Sequence, residues 1–293
     1  MRRWYCNVRE VGSGDTMVVI AHGYGANQGL WDKLLPSLSQ TNKVLLFDWD
    51  FATSSAAAAG NDDDDDDGQR YSFVRFAEDL IALMDEREVR GAVMVGHSMS
   101  AMAACIASVT RPDLFAHLIL LCASPSRYIN SEQDGQEDEE GYVGGFERPS
   151  IDGMLDAMSL DFEAWVRGFV PNAAGGDPNS VPHLEKSFLA MNPGVAHEVA
   201  KMIFLGDQRE VLHAVTTPCT VVQVMADFAA PPCVAEYMKR RMTNKASVEI
   251  IDSVGHFPQL VAPQQLLHIL HNVLRRHQEP GSDEEQEGIH VTA

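Results

Sequence analysis

The chain has 293 residues, of which 45% are hydrophobic, and a formal net charge of −20. That length holds one large α/β domain with an inserted cap, or two small domains, and the apolar content suffices for a sizeable core. There is no apolar run of about eighteen residues to suggest a transmembrane helix, and the acidity argues against nucleic-acid partners.

The N-terminus, MRRWYCNVRE, carries charge without an apolar stretch and does not read as a secretory signal. Val18 to Ala21 reads as a short buried strand ending in the Gly-rich turn His22-Gly23-Tyr24-Gly25. Leu30, Trp31, Leu34, Leu35 and Leu38 recur at helical spacing and predict a helix over Leu30 to Leu38. Lys43 to Asp48 is a second strand, and Ala52 to Gln69 a low-complexity loop of Ala, Ser and Asp. Phe73 to Glu86 has the period of an amphipathic helix. Ala92 to Val95 is a third strand, followed by an Ala-rich helix from Met99 to Val109. Leu118 to Cys122, Thr220 to Val224 and Val248 to Ile251 are further strands. Strands alternating with helices predict an α/β fold with a mostly parallel central sheet covered on both faces.

The alternation breaks between about Asn130 and Asp207, where Asp152 to Met158, Phe162 to Phe169, Pro182 to Met191 and Gly194 to Phe204 read as helices. The predicted organisation is a core of residues 1–129 and 208–277, a helical cap with an acidic insertion over 130–207, and a disordered acidic tail over 278–293. Leu266 to Arg275 is the last helix. The negative charge gathers at Asp62 to Asp67, Glu132 to Glu140 and Asp283 to Glu287, blocks whose like charges favour solvation. The Asp run lacks the alternating spacing and glycine of a calcium loop. Cys6, Cys105, Cys122, Cys219 and Cys233 are scattered without zinc-site spacing, so buried, unpaired thiols in a reducing compartment are expected, with no cofactor.

The strongest chemical signal is Gly96-His97-Ser98-Met99-Ser100, directly after a buried strand and before a helix. This is the setting of a nucleophile elbow, G-x-S-x-G, with Ser100 in the place of the second glycine. Small neighbours let Ser98 occupy a strained turn that exposes its hydroxyl, and the Met99 amide at the helix start can hold an oxyanion. The turn after the first strand would supply the other donor, the Tyr24 amide, with its ring in the pocket. A base is expected last in chain order, which selects His256 in Gly255-His256-Phe257-Pro258. Asp227, just after the strand over 220–225, is the preferred acid, ahead of Asp207 and Asp252. His22 and His97 read as structural.

With these residues in view, the chain resembles the plant strigolactone-receptor and karrikin-receptor branch of the α/β-hydrolases. His22-Gly23-Tyr24-Gly25-Ala26-Asn27-Gln28 with Trp31 is similar to that branch's HGFG-x-x-Q-x-x-W, and Gly96 to Met102 to its GHSVSAM. Ala123-Ser124-Pro125, Tyr142 to Glu147, Ala164 to Phe169 and Gly255 to Leu260 resemble its ASP, Y-x-GGFE, AWV-x-GF and GHLPHL segments. The resemblance implies a hydrolase core under a V-shaped lid of four helices. It implies slow attack by Ser98 on butenolide lactones, with His256 able to keep a ring-derived adduct. Tyr24, Tyr128, Trp165, Phe169 and Phe204 map onto the family's pocket positions, although helix packing also accounts for Trp165 and Phe169. Implied partners are an F-box protein and a transcriptional repressor, for a monomer of cytoplasm and nucleus that binds neither nucleic acid nor membrane.

The chain departs from the family in four respects: Tyr24 for the usual Phe, Met99 for Val, an acid loop without the Arg before the acid, and the insertions at 56–67 and 133–140. Three readings stay open at this level. They are a butenolide receptor with slow hydrolysis, a metabolic esterase or lactonase without a signalling role, and a binding protein with an impaired triad.

Overall fold

Seven strands form one sheet in the order β1-β3-β2-β4-β5-β6-β7, with β1 antiparallel to β3 and every other pairing parallel. The strands are β1 (Tyr5–Val11), β2 (Thr16–Ala21), β3 (Asn42–Trp49), β4 (Ala92–His97), β5 (Phe115–Leu121), β6 (Cys219–Ala226) and β7 (Ala246–Val254). The computed structural model describes residues 3–52, 71–127, 142–242 and 246–278. Tyr128, the acidic insertions and the predicted tail from residue 279 onward lie outside the described residues, residue 278 being the last of a helix.

Alternate residues of each central strand feed two separate cores, as the two-residue period of a strand requires. Val19, Ala21, Leu45, Phe47, Met94, Leu118, Leu120 and Val221 face α2 (Phe73–Glu86), α3 (Met99–Thr110) and α8 (Pro232–Arg241). Val18, Ile20, Val44, Leu46, Val93, Val95, Ile119, Leu121, Val222 and Val224 face α1 (Leu35–Leu38) and α10 (Pro263–Gln278). β4, buried along its whole length, sits at the centre between β2 and β5. The chain therefore has the predicted α/β architecture.

The elements differ from expectation at several places, among them α8 and the short helix α9 (Pro258–Val261), which the sequence pattern did not predict. The helix predicted over Leu30 to Leu38 is split into a 3-10 turn, Gln28–Trp31, and the single turn α1. Pro36 explains the break, because it has no N–H to donate and its ring crowds the carbonyl four residues earlier. β1 was not anticipated: its alternation is weak and its outer residues are polar, as befits an edge strand.

Between β5 and β6 the described residues form four α-helices, α4 (Arg148–Leu160), α5 (Phe162–Ala173), α6 (Ser180–Leu189) and α7 (Pro193–Leu205). Contacts are made by α4 with α5 and α7, and by α5 with α6. α5 starts on Asp161, whose carboxylate accepts from the Ala164 amide, and α7 on Asn192, which accepts from Gly194 and Val195. The last short helix, α9 (Pro258–Val261), leads into α10. Among the described residues no helix is long and apolar enough to cross a membrane. The thiols correct one expectation: Cys105, Cys122 and Cys219 are buried and unpaired, but Cys6 is only half-buried and Cys233 is exposed.

Candidate active site

Ser98 follows the carboxyl end of β4 and precedes α3 with φ +56° and ψ −113°. A side chain at positive φ is strained, and here the strain belongs to the strand-to-helix elbow. The elbow admits no bulk: a Cβ on Gly96 would lie 2.8 Å from the Ala101 Cα and from the Ser100 carbonyl oxygen. Ser100 serves as more than a small residue. Its hydroxyl donates to the His22 carbonyl at 2.5 Å and accepts from the Trp49 indole at 2.8 Å, tying the elbow to β3 and to the turn after β2.

The Ser98 hydroxyl donates to His256 Nε2 at 2.8 Å, and His256 Nδ1 donates to Asp227 Oδ2 at 2.7 Å. That partnership assigns the proton to Nδ1 and leaves Nε2 as the acceptor. The three residues are 6%, 8% and 4% exposed for Ser98, His256 and Asp227. Asp227 Oδ1 accepts from the amides of Ala229, at 2.9 Å, and Ala230, at 3.2 Å. Gln223, inside β6, donates its amide to Asp227 Oδ2 at 3.1 Å and also to the Ala230 carbonyl. Asp207 instead pairs with Arg209 at the surface, and the Asp252 amide bonds Gln265.

The turn after β2 passes against the nucleophile. A Cβ on Gly23 would lie 2.9 Å from the Ser98 Cβ, so only glycine brings this backbone so close. Met99 opens α3, where a first-turn amide has no intrahelical acceptor. A first-turn amide beside a serine–histidine–carboxylate relay is an arrangement suited to acyl transfer.

A model of the alpha/beta hydrolase family matches residues 18–269. The chain belongs to that family. It is 38% identical to the strigolactone esterase RMS3 of Pisum sativum, over 90% of this chain and 94% of the relative. It is 39% identical to the karrikin insensitive 2 receptor CA of Petunia hybrida, over 90% of this chain and 93% of the relative. Among solved structures, a hydrolase from Oleispira antarctica aligns with TM-score 0.78 at 27% identity, covering 91% of this chain and 94% of that one.

In this hydrolase a continuous series of aromatic rings spans the four-helix segment. Tyr24 meets Phe188 edge-on at 5.6 Å, Phe188 meets Phe169 at 5.8 Å, and Phe169 meets Phe228 of the acid loop at 5.6 Å. Trp165 stacks on Phe169 at 4.9 Å, while Phe204 reaches Phe228 through Phe146. Trp165, Phe169, Phe204 and Tyr24 are thereby brought into one group, which sequence reasoning assembled without Phe188 and Phe228. The Tyr24 hydroxyl does not add polarity to this group, because it donates to the Ala196 carbonyl of α7 at 2.9 Å. Burial pushes its pKa far above the usual phenol value. A cavity of about 750 Å³, lined by Tyr71, Phe73, Met158, Val195, Lys201 and Met202 among others, lies apart from the triad.

Sequence reasoning also missed Arg127. It is 3% exposed, and its Nη2 donates to Ser98 Oγ at 2.9 Å while its Nη1 donates to the Ala229 carbonyl. Burial lowers its pKa and the charge of Asp227 opposes that. A usable signal existed: Arg127 stands just past the carboxyl end of β5, where open α/β sheets place functional groups.

His22 and His97 are held neutral by burial, His97 well below the usual imidazole range. His22 Nε2 accepts from the Trp49 amide at 3.0 Å, and His97 Nε2 donates to the His256 carbonyl at 2.8 Å. His97, Cys122 and His256 have ligand-type atoms within 4.8 Å of one another. They do not make a metal centre, since both His256 nitrogens are engaged and burial keeps the Cys122 thiol protonated.

Proposed function

We propose that this chain is a serine esterase that binds and slowly hydrolyses butenolide-type lactones, and that it serves plant hormone signalling. The observation that carries this reading is the Ser98–His256–Asp227 relay in a chain 37–39% identical to strigolactone esterases and karrikin insensitive 2 receptors across about nine-tenths of its length.

In this mechanism Ser98 Oγ attacks the lactone carbonyl as its proton passes to His256 Nε2. Asp227 keeps the proton on Nδ1 and stabilises the imidazolium. The Tyr24 and Met99 amides hold the oxyanion, His256 protonates the leaving oxygen, and water then releases the acyl group. Residues 130–207 act as the lid, with 1–129 and 208–277 as the core and 278–293 as the tail. Tyr24, Tyr128, Trp165, Phe169 and Phe204 contact the ligand, and the aromatic group of this segment suits a flat, apolar ring. The protein acts as a monomer in cytoplasm and nucleus and recruits an F-box protein and a transcriptional repressor once ligand has bound.

The test combines hydrolysis of a fluorogenic butenolide with thermal melting in its presence. Slow turnover that Ser98→Ala abolishes, together with a ligand-dependent drop in melting temperature, supports the reading. Fast multiple turnover on small esters with no change in melting would leave a metabolic esterase, and hydrolysis unaffected by Ser98→Ala would sink the triad itself.

A further inference from the structure

A serine hydroxyl has one proton and two lone pairs. In this site the proton goes to His256 Nε2 and one lone pair is taken by a guanidinium N–H, from Arg127 Nη2 at 2.9 Å. The second lone pair remains for attack. No part of the triad chemistry calls for a permanent cation on the nucleophile. Arg127 is nevertheless built in: it is 3% exposed, and its other arm is anchored on the Ala229 carbonyl of the acid loop. It also approaches from the β5 side of the nucleophile, whereas the Tyr24 turn lies on the β2 side.

The two states of Ser98 differ as acceptors. A hydroxyl oxygen, and still more a developing alkoxide, accepts strongly from a guanidinium. The oxygen of an acyl ester accepts weakly, because its lone pairs are drawn towards the carbonyl. A donor held on Oγ therefore stabilises the free serine relative to the acyl-enzyme.

Resting on the triad reading above, we propose that Arg127 is a catalytic residue that drives deacylation by holding Ser98 Oγ as the leaving group. In that step a water oxygen adds to the acyl carbon and gives a proton to His256 Nε2. The carbon–Oγ bond then breaks, its electron pair goes to Oγ, and Oγ takes the proton back from His256. Charge grows on Oγ as the bond breaks, and the Arg127 N–H bond strengthens with it. Acylation runs the other way: Oγ gives up electron density and the same bond weakens. The cation thus slows loading of the serine and speeds its release, keeping the acyl-enzyme sparsely populated.

The experiment uses the full chain with p-nitrophenyl acetate, reading the pre-steady-state burst and the fraction of acylated protein by intact mass. Arg127→Met, similar in length and uncharged, is expected to raise the ratio of acylation rate to deacylation rate about tenfold, with a visible burst and a +acetyl species. Arg127→Gln keeps an N–H donor without the charge and should fall between. A merely structural role, through the Ala229 anchor, would slow both steps together and leave the acylated fraction unchanged, which overturns the proposal. If Arg127→Met does not fold, an acylated fraction in Arg127→Gln equal to that of the unaltered protein overturns it equally. Ser98→Ala must remove the acetyl species throughout. Failure of the unaltered chain and of Arg127→Met alike to acylate Ser98 would instead overturn the hydrolase reading, and this proposal with it.

Discussion

Gly23→Ala tests the oxyanion turn with a single methyl group. Gly23 does not occupy the left-handed region, so alanine is conformationally admissible and the effect is steric. The new Cβ would lie 2.9 Å from the Ser98 Cβ, 2.9 Å from His97 Nδ1 and 3.0 Å from the His97 carbonyl oxygen. Ordinary contact begins at 3.4 Å, so the turn must retreat by 0.5 Å, the difference between 3.4 and 2.9. His97 is fully buried and Ser98 is fastened to β5 through the Leu121 carbonyl, so neither yields easily. The retreat carries the Tyr24 amide with it, and a donor aimed at about 2.9 Å falls outside useful range. Loss of one oxyanion donor costs about 10²–10³-fold in kcat, whereas overpacking costs about 1–3 kcal/mol of stability. The assay is kcat on p-nitrophenyl acetate beside a urea melt. A variant that keeps kcat within about threefold of the parent would refute the assignment of the Tyr24 amide as an oxyanion donor.

Gln223→Leu removes the side-chain donor on Asp227 Oδ2 at nearly constant volume, and kcat is expected to fall about tenfold with KM unchanged; an unchanged kcat would mean the two loop amides suffice. Gly175 sits at φ +61° with a hypothetical Cβ 2.2 Å from the Val254 carbonyl oxygen, while Gly176, at φ +71°, has nothing within 4 Å. Gly175→Ala should therefore cost about 2–4 kcal/mol and Gly176→Ala only about 1 kcal/mol in denaturant melts, and equal losses would contradict the close backbone approach. Burial lowers His117 to about 4 and pushes His22 and His97 down as well. The folded state thus stays unprotonated where the unfolded chain takes up protons, so this stability is complete above about pH 6.5 and lost as pH falls towards the folded values. His117→Asn should flatten the slope of stability against pH between about 6 and 4.5 by up to about 1.4 kcal/mol per pH unit, and parallel curves for variant and parent would disprove it.

The inner strands β2 to β6 were legible because they are largely buried and read as short apolar runs, and α2 because Phe73, Phe76, Ala77, Leu80, Leu83 and Met84 keep one helical face. Ser98, His256 and Asp227 could be picked from motif and chain order, since each lies just past the carboxyl end of its own strand. Partners whose pairing depends on the folded backbone were harder to read. Arg127 is 29 residues from Ser98 and reads in sequence as a basic loop residue. Gln223 reads as a polar interruption of a strand, and Ser100 as a glycine substitute, until Asp227, His22 and Trp49 are placed beside them. Local periodicity carries no information about such pairings, and Pro36 shows that it can also overrun a local break.

Three of the helices between β5 and β6, α5, α6 and α7, hold the site at two loops. Tyr24 Oη donates to Ala196 of α7 at 2.9 Å, Asn27 Nδ2 to Ser187 of α6 at 2.9 Å, and the His256 amide to Ala173 of α5 at 2.8 Å. Phe188 sits so close over Gly25 that a Cβ there would lie 2.1 Å from its ring. The first, second and fourth contacts hold the oxyanion turn, and the third holds the loop of the base. Under the lid proposed above, a ligand reaches Ser98, only 6% exposed, by parting these helices. Any such motion pulls on the Tyr24 turn or on His256, the two parts whose distances to Ser98 set the rate. In that proposed motion, admission of ligand and alignment of the triad are one mechanical event, and Tyr24, with a hydroxyl that a phenylalanine would lack, adds one hydrogen bond to the closed side of that balance.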